Sequence, residues 1–361
     1  MAAGLGTITA ARAEYNLNLP RGVTPISHEA YDLHTMILWI CAGIGVVVFS
    51  VMFYSIINHR KSSGRQPAQF HESTTVEVIW TIIPFLILVS MAIPATKALV
   101  VMENTDNSDL SIKVTGYQWK WGYDYLDNGI SFISSLSTPD EQIHNAEQKG
   151  EHYLLEVDNP LVVPVNKKVR LLITSNDVIH AWWVPELGMK KDAIPGFINE
   201  MWFKIDKEGT YRGQCAELCG RNHGFMPIVV VAKNEQDYQQ WVQEQQAAGA
   251  AEAAAAGREW TRDELMAKGE EVYAANCAAC HQATGEGVPG VFPALKGGAI
   301  ATGPVDAHLD IVLHGKPGTA MAAFGSQLSD IDLAAVVTYE RNAWGNNTGD
   351  VVQPSVVKAA R

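Results

Sequence analysis

Two thiols, an imidazole and a thioether crowd into one short run, Cys215-Ala-Glu-Leu-Cys219-Gly-Arg-Asn-His223-Gly-Phe-Met226. Such soft and borderline donors suit copper far better than calcium or magnesium. Gly220 and Gly224 let the backbone turn tightly around an ion. His180, in a separate strand-like segment, adds a second imidazole. A single copper needs one thiolate, two imidazoles and a weak axial group. Two thiolates with two imidazoles better match a copper pair sharing bridging sulfurs. In an oxidising compartment the same cysteines could instead close a disulfide. A second cluster, Cys277-Ala-Ala-Cys280-His281, has the spacing for covalent attachment of a c-type haem, with His281 on one side of the iron. A thioredoxin-like redox motif would need a surrounding βαβ pattern, and none is present. The opposite iron ligand has to come from downstream, where His308, His314 and Met321 are the candidates. We expect Met321, with His314 next, because histidines in acidic loops are more often solvated than ligating. A thioether would also raise the reduction potential relative to a second histidine, as suits delivery of electrons onward. Two redox sites on one chain point to electron transfer.

These sites need a mount. Met36 to Ile57 is a run of 22 residues without a charge, extending ~33 Å as a helix, enough to cross a bilayer. Ile79 to Thr96 is a second such run, interrupted by Pro84 and Pro94, which membrane helices tolerate. Arg60, Lys61 and Arg65 follow the first run, so the connecting loop is expected on the cytoplasmic side and everything beyond about Glu103 outside. Ala11-Arg12-Ala13 resembles the end of a cleaved signal peptide. Cys41, within the first run, reads as a small apolar packer. The formal net charge of -12 argues against nucleic-acid binding and is compatible with steering a basic protein partner.

From about Ser108 to Lys233 short β-rich runs follow one another. They begin with Ile112 and Val114, then Trp119, Trp121, Tyr123 and Tyr125. Further expected strands are Tyr153–Val157, Lys168–Thr174, Val178–Val184, Glu200–Ile205, Gly209–Gln214 and Pro227–Ala232, a spacing that suggests a sandwich or barrel. Asp127–Glu151 reads as an insertion or long loop. Gln245–Gly257, rich in alanine, could be an exposed helix or a flexible tether. Thr261, with Asp263 and Glu264 in the first turn, should cap a helix ending just before Cys277, and Ser329 another through Ile331, Ala335, Val336 and Tyr339. The tail from about Gly345 is expected to be loosely ordered.

His180, Cys215, Glu217, Cys219, His223 and Met226 together resemble, position by position, the dinuclear copper (CuA) motif of cytochrome c oxidase subunit II. The likeness extends from the first membrane span to about Lys233 and includes Gly116-Tyr-Gln-Trp-Lys-Trp121. It implies a two-helix transmembrane hairpin followed by a cupredoxin-type β-barrel. Both cysteines would bridge both coppers, Met226 would be a weak axial ligand and Glu217 would bind through its backbone carbonyl. The Glu217 side chain would face a magnesium site shared with subunit I. Thr261 to Trp344 resembles an all-α class I cytochrome c domain. In that family the methionine ligand stands just before the final helix, as Met321 does, and a proline carbonyl, here Pro293, holds the histidine ring. The expected organisation is an N-terminal segment 1–30 (with 1–13 a signal-peptide remnant), a hairpin 31–105, a CuA domain 106–240, an Ala-rich linker 241–260, a cytochrome c domain 261–346 and a tail 347–361.

Glu77, three residues after Thr74, reads on residues alone as half of a capping box. By resemblance, Val76-Glu77-Val-Ile-Trp80 marks the mouth of a proton path into the catalytic subunit. Trp119 reads as a half-buried barrel aromatic, or, by resemblance, as the relay accepting electrons from soluble cytochrome c. The resemblance implies a subunit of a bacterial cytochrome c oxidase in the inner membrane, partnered by subunit I and subunit III in lipid. Electrons would pass from a soluble donor through haem c and CuA to the subunit that reduces oxygen and translocates protons. The alternatives are the electron-accepting subunit of a CuA-containing nitric oxide reductase and a periplasmic copper carrier or assembly protein.

Overall fold

Thr24 ends an extended stretch and starts the first long helix, α1 (Pro25–Asn58). Its hydroxyl accepts the Ser27 amide, Ser27 accepts the Thr24 amide in return, and Pro25 takes the first helical position, where no amide partner is needed. The computed structural model describes residues 18–66 and 68–361, so the Ala11-Arg12-Ala13 cleavage reading lies outside the described residues. A second long helix, α2 (Thr74–Glu103), runs through Pro84 and Pro94. Both helices are apolar on every side: Trp39, Phe49, Phe53 and Ile57 on α1 and Trp80, Phe85, Leu88 and Val100 on α2 are exposed. Such helices belong in lipid. The expected Thr74–Glu77 capping box is absent. The cap position falls on Ser73, Thr74 is already helical, and the Glu77 amide bonds the Ser73 carbonyl as an ordinary helical turn. Glu77 therefore sits one residue too far along to return a bond to the cap.

After α2 the chain builds β1 (Leu110–Tyr117), β2 (Lys120–Tyr125), β3 (Ile130–Ser134), a single helical turn α3 (Asp140–Ile143), β4 (Leu161–Pro164), β5 (Val169–Ser175), β6 (His180–Val184), β7 (Met189–Ala193), β8 (Asn199–Phe203), β9 (Gly209–Gln214) and β10 (Pro227–Lys233). One sheet orders β2-β1-β5-β8, with β1 and β5 parallel; another orders β4-β10-β9; β6 and β7 form an antiparallel pair. β5 shows the alternation of a sheet with one face on a core: Val169, Leu171, Ile173 and Ser175 are buried and their neighbours half-buried. Trp182 stacks on Phe203 with ring centroids 6.2 Å apart, and its indole N–H donates to the Tyr123 hydroxyl.

The hairpin is fastened to this barrel at both ends. At α1, the Thr24 hydroxyl donates to the Leu187 carbonyl at 2.8 Å and the Val23 amide to the Glu186 carbonyl. At α2, the Trp202 indole donates to the Val101 carbonyl at 3.1 Å and Lys191 pairs with Glu103.

The helices that follow are α4 (Glu235–Ala256), α5 (Arg262–Asn276), α6 (Ala278–His281), α7 (Val305–His314), α8 (Asp330–Asn342) and α9 (Pro354–Ala360). The chain divides into two units, one up to Asp127 with Ser134–Tyr238, the other Asn128–Ile133 with Gln239–Arg361. Within the second, α5 and α8 pack around Leu265, Val272, Leu333 and Val336, joined by Leu309 and Leu313 of α7. Thr261 and Ser329 cap α5 and α8 as expected, the former in a full capping box with Glu264.

Three further expectations are corrected. Tyr153–Val157 is a turn with one isolated bridge, Leu136 to Val157, because Leu154 takes a left-handed conformation, φ 61°. The segment 127–151 is no plain loop, since it holds β3 and α3. The tail is ordered: α9 buries Pro354 and Val357, and Gln353 exchanges two hydrogen bonds with the Trp260 backbone. The Ala-rich stretch lies within α4.

Candidate metal centre and haem site

β9 and β10 pair along their length, and residues 215–226 are the excursion between them. The Cys215 amide closes the base of this loop on the Met226 carbonyl at 3.0 Å, and the Ala216 amide reaches the Ala181 carbonyl at 3.0 Å. That second bond sets the loop against the start of β6, where His180 stands. Cys215 Sγ lies 3.9 Å from His180 Nδ1 and 3.7 Å from Cys219 Sγ, and Cys219 Sγ lies 3.5 Å from His223 Nδ1. His180, Cys215 and Cys219 present donor atoms all within 4.8 Å of one another, all buried. Met226 is buried directly behind them in sequence, and Cys215 Sγ contacts the Glu217 carbonyl at 3.3 Å, while the Glu217 side chain is exposed.

A sulfur separation of 3.7 Å is far beyond a disulfide bond of ~2.05 Å, so both cysteines are free thiols. Burial alone would raise the Cys215 thiol. Hydrogen bonds from His180 and the backbone of Ala181 and Glu217 outweigh it, bringing it down to about 7. Burial and the neighbouring Cys215 sulfur push the Cys219 thiol up to about 12. Two adjacent buried sulfurs cannot both ionise without a compensating cation, and a soft metal supplies that charge. The donor chemistry thus fits copper.

The frame around these donors is tight. A Cβ on Gly116 would lie 2.7 Å from His180 Cδ2, and Trp121 meets the same ring edge-on with centroids 5.9 Å apart. The Trp119 indole and the Gln118 side-chain amide both donate to the Cys219 carbonyl, at 3.1 and 2.7 Å. Gly220 adopts φ 116°, and a Cβ there would meet both of those side chains. Asp177, which motif reading passed over, accepts a hydrogen bond from His180 Nε2 at 2.8 Å. Its signal was the spacing to His180, three residues on, in a polar turn.

Cys277, Cys280 and His281 come together at the junction of α5 and α6. The Pro293 carbonyl lies 2.9 Å from His281 Nδ1, which fixes the ring and leaves Nε2 for a metal. Gly287, at φ 64°, makes this approach attainable: a Cβ there would lie 2.4 Å from the Phe292 carbonyl and 2.6 Å from that of Pro293. Half-buried Cys277, Ala278, Leu295 and Phe324 pack against the helical core, an apolar lining suited to a porphyrin. Of the downstream candidates, His308 is buried against Glu340 at 2.8 Å and His314 is an exposed partner of Asp310 at 2.9 Å. Met321 lies half-buried in the loop before α8, and its carbonyl accepts the Lys316 amide.

Residues 12–98 match the family model for the transmembrane domain of cytochrome c oxidase subunit II, and residues 110–233 that for its periplasmic domain. A probable cytochrome c oxidase subunit 2 of Rickettsia bellii is 41% identical over 219 residues, 61% of this chain and 80% of that protein. Cytochrome c oxidase subunit 2 of Cereibacter sphaeroides is 35% identical, covering 67% of this chain and 88% of its own. The chain belongs to the cytochrome c oxidase subunit II family. Residues 264–339 match a further model, cytochrome C oxidase, cbb3-type, subunit III, which supplies the cytochrome c part. The crystal structure of the periplasmic domain of subunit II of cytochrome oxidase (CoxB) of Bradyrhizobium japonicum is 43% identical, covers 40% of this chain and 99% of that one, and gives a TM-score of 0.36. As a subunit II, this chain is an oxidoreductase component of a haem–copper oxidase, partnered with subunit I, with two helices in the inner membrane and a periplasmic domain. Its two families imply a CuA centre and a haem c.

Proposed function

We propose that this subunit relays single electrons from a soluble donor through a covalent haem c to a dinuclear copper centre, and from there to subunit I, where oxygen is reduced. The observation that carries the reading is the unbroken run of donors His180 Nδ1, Cys215 Sγ, Cys219 Sγ and His223 Nδ1, each 3.5–3.9 Å from the next. When bound, the copper pair supplies a one-electron couple. The chain's own part is to hold the donors still. Cys215 and Cys219 would hold the copper pair through their thiolates, His180 and His223 through one imidazole each, Met226 through its thioether and Glu217 through its backbone carbonyl. A loop closed on a stiff sheet keeps those atoms in place when the charge changes.

In the helical unit, Cys277 and Cys280 would carry the haem thioethers, with His281 and Met321 on the iron and Pro293 orienting His281. Trp119, bonded to the Cys219 carbonyl, offers a relay into the copper loop. Glu77, exposed near the start of α2, is proposed as the mouth of a proton path in subunit I. A magnesium ion at the Glu217 side chain would draw its other ligands from subunit I. The basic turn after α1 is proposed to face the cytoplasm. Subunit III and a soluble cytochrome c complete the proposed partners.

The test is Cys215→Ser in the assembled oxidase. The ratio of copper to protein should fall by the amount this chain holds, with the haem c absorbance retained. An unchanged ratio contradicts the reading.

A further inference from the structure

His180 and His223 look equivalent in the sequence, yet their surroundings differ. His180 is completely buried and locked from behind; His223 is half-buried, in the short turn His223–Phe225. The lock on His180 is one carboxylate. Asp177 Oδ1 accepts from His180 Nε2 at 2.8 Å and from the Val178 amide at 2.6 Å, while Oδ2 accepts from the Gln118 amide at 2.7 Å. Gln118 in turn donates its side-chain amide to the Cys219 carbonyl at 2.7 Å. The chain of bonds therefore runs from the imidazole on one side of the sulfur pair, through Asp177 and Gln118, to the backbone of the cysteine on the other.

We propose that Asp177 is a positioning residue for the copper site, fixing the Nε2–H tautomer of His180 and tying its ring, through Gln118, to the Cys219 loop. The inference rests on the copper assignment above. A carboxylate behind a ligating imidazole holds the ring at the correct angle and raises the basicity of its other nitrogen. Here that other nitrogen is Nδ1, the one facing Cys215 Sγ. The effect falls on one copper's histidine and not the other's, so the site is built asymmetric. Extra negative charge on a ligand favours the more oxidised metal, so the Asp177 carboxylate holds the reduction potential down. Both carboxylate oxygens are already engaged, and the side chain is only 21% exposed.

Asp177→Asn and Asp177→Ala in the complete oxidase test this. The isosteric amide has one acceptor oxygen, so it can satisfy His180 or Gln118 but not both. Copper retention against a chelator should fall about 10–100-fold. The variant that still carries copper should show a raised potential and an altered hyperfine pattern at a single histidine. A tenfold preferential weakening of the oxidised form corresponds to about 59 mV for one electron. Haem c content and the circular dichroism of the copper-free protein should match wild type. A copper-loaded Asp177→Asn with wild-type spectrum and potential overturns the proposal, even if donor oxidation slows, since that would make Asp177 a docking carboxylate. Copper loss accompanied by loss of the copper-free fold overturns it too. Cys215→Ser run alongside separates the cases: if that variant keeps its copper, the assignment itself has failed.

Discussion

At the scale of single residues, the copper site is a problem of two sulfurs and their protons. Cys215 and Cys219 sit 3.7 Å apart in a buried loop, one thiol lowered to about 7 and the other raised to about 12. The ordinary thiol value is 9.0 for both, so the signs oppose each other. Below its ordinary value, Cys215 adds stability that is present above pH 9 and lost as the pH falls through 7. Above its ordinary value, Cys219 adds stability that is present below pH 9 and lost as the pH rises through 12. The metal-free protein should therefore gain stability between about pH 7 and 9 and lose it between about 9 and 12. Thermal melts across that range, with thiolate absorbance followed in parallel, check this. A single transition releasing both protons together would contradict it. The same scale explains the crowding of glycine here: at Gly116 any side chain would strike His180, and at Gly220 any side chain would strike Gln118 and Trp119.

At the scale of elements, what could be read ahead was whatever carries a local chemical mark. Thr261 with Glu264 and Ser329 with Asp332 announce α5 and α8 because a hydroxyl three residues before an amide is a complete local device. The donor loop was legible for the same reason, since its ligands lie close together in the chain. Illegible were the elements whose partners are far away. β4 is four residues long and exists by pairing in parallel with β10, about seventy residues on. α9 is fixed by Val352, Pro354 and Val357 on distant helices, and no local pattern marks it. Asp177 was missed because its role depends on where the turn aims it. The α5–α8 crossing depends on Gly269, where a Cβ would lie 2.2 Å from the Ala335 carbonyl and 2.6 Å from Tyr339 Cβ. Gly269→Ala should force these helices apart at a cost of about 1–3 kcal/mol. A melt followed at the haem band should shift down while the copper signal holds. An unchanged melting temperature would mean that the crossing has slack.

At the scale of the whole molecule, the two redox chemistries occupy separate stretches of chain. All candidate copper donors lie within residues 110–233, and all candidate haem donors within 264–339. The donors of the two sites fall in different structural units, each with its own buried core. A lesion in one site should therefore leave the other chemically intact. Replacing Cys277 and Cys280 together with Ser supplies the decisive case, because it removes both thioether sites and leaves every candidate copper donor unchanged. The variant oxidase should keep its full copper content and spectrum and remain reducible by ascorbate with a small mediator. Oxidation of the soluble donor should be lost if the haem is the port through which electrons arrive. Retained donor turnover would move the port to Trp119, whose indole already bonds the Cys219 carbonyl. Loss of copper in the same variant would show that the barrel needs the haem unit to fold, and the two-module reading would fall. The measurement thus decides between a relay in series and a copper subunit with an appended domain.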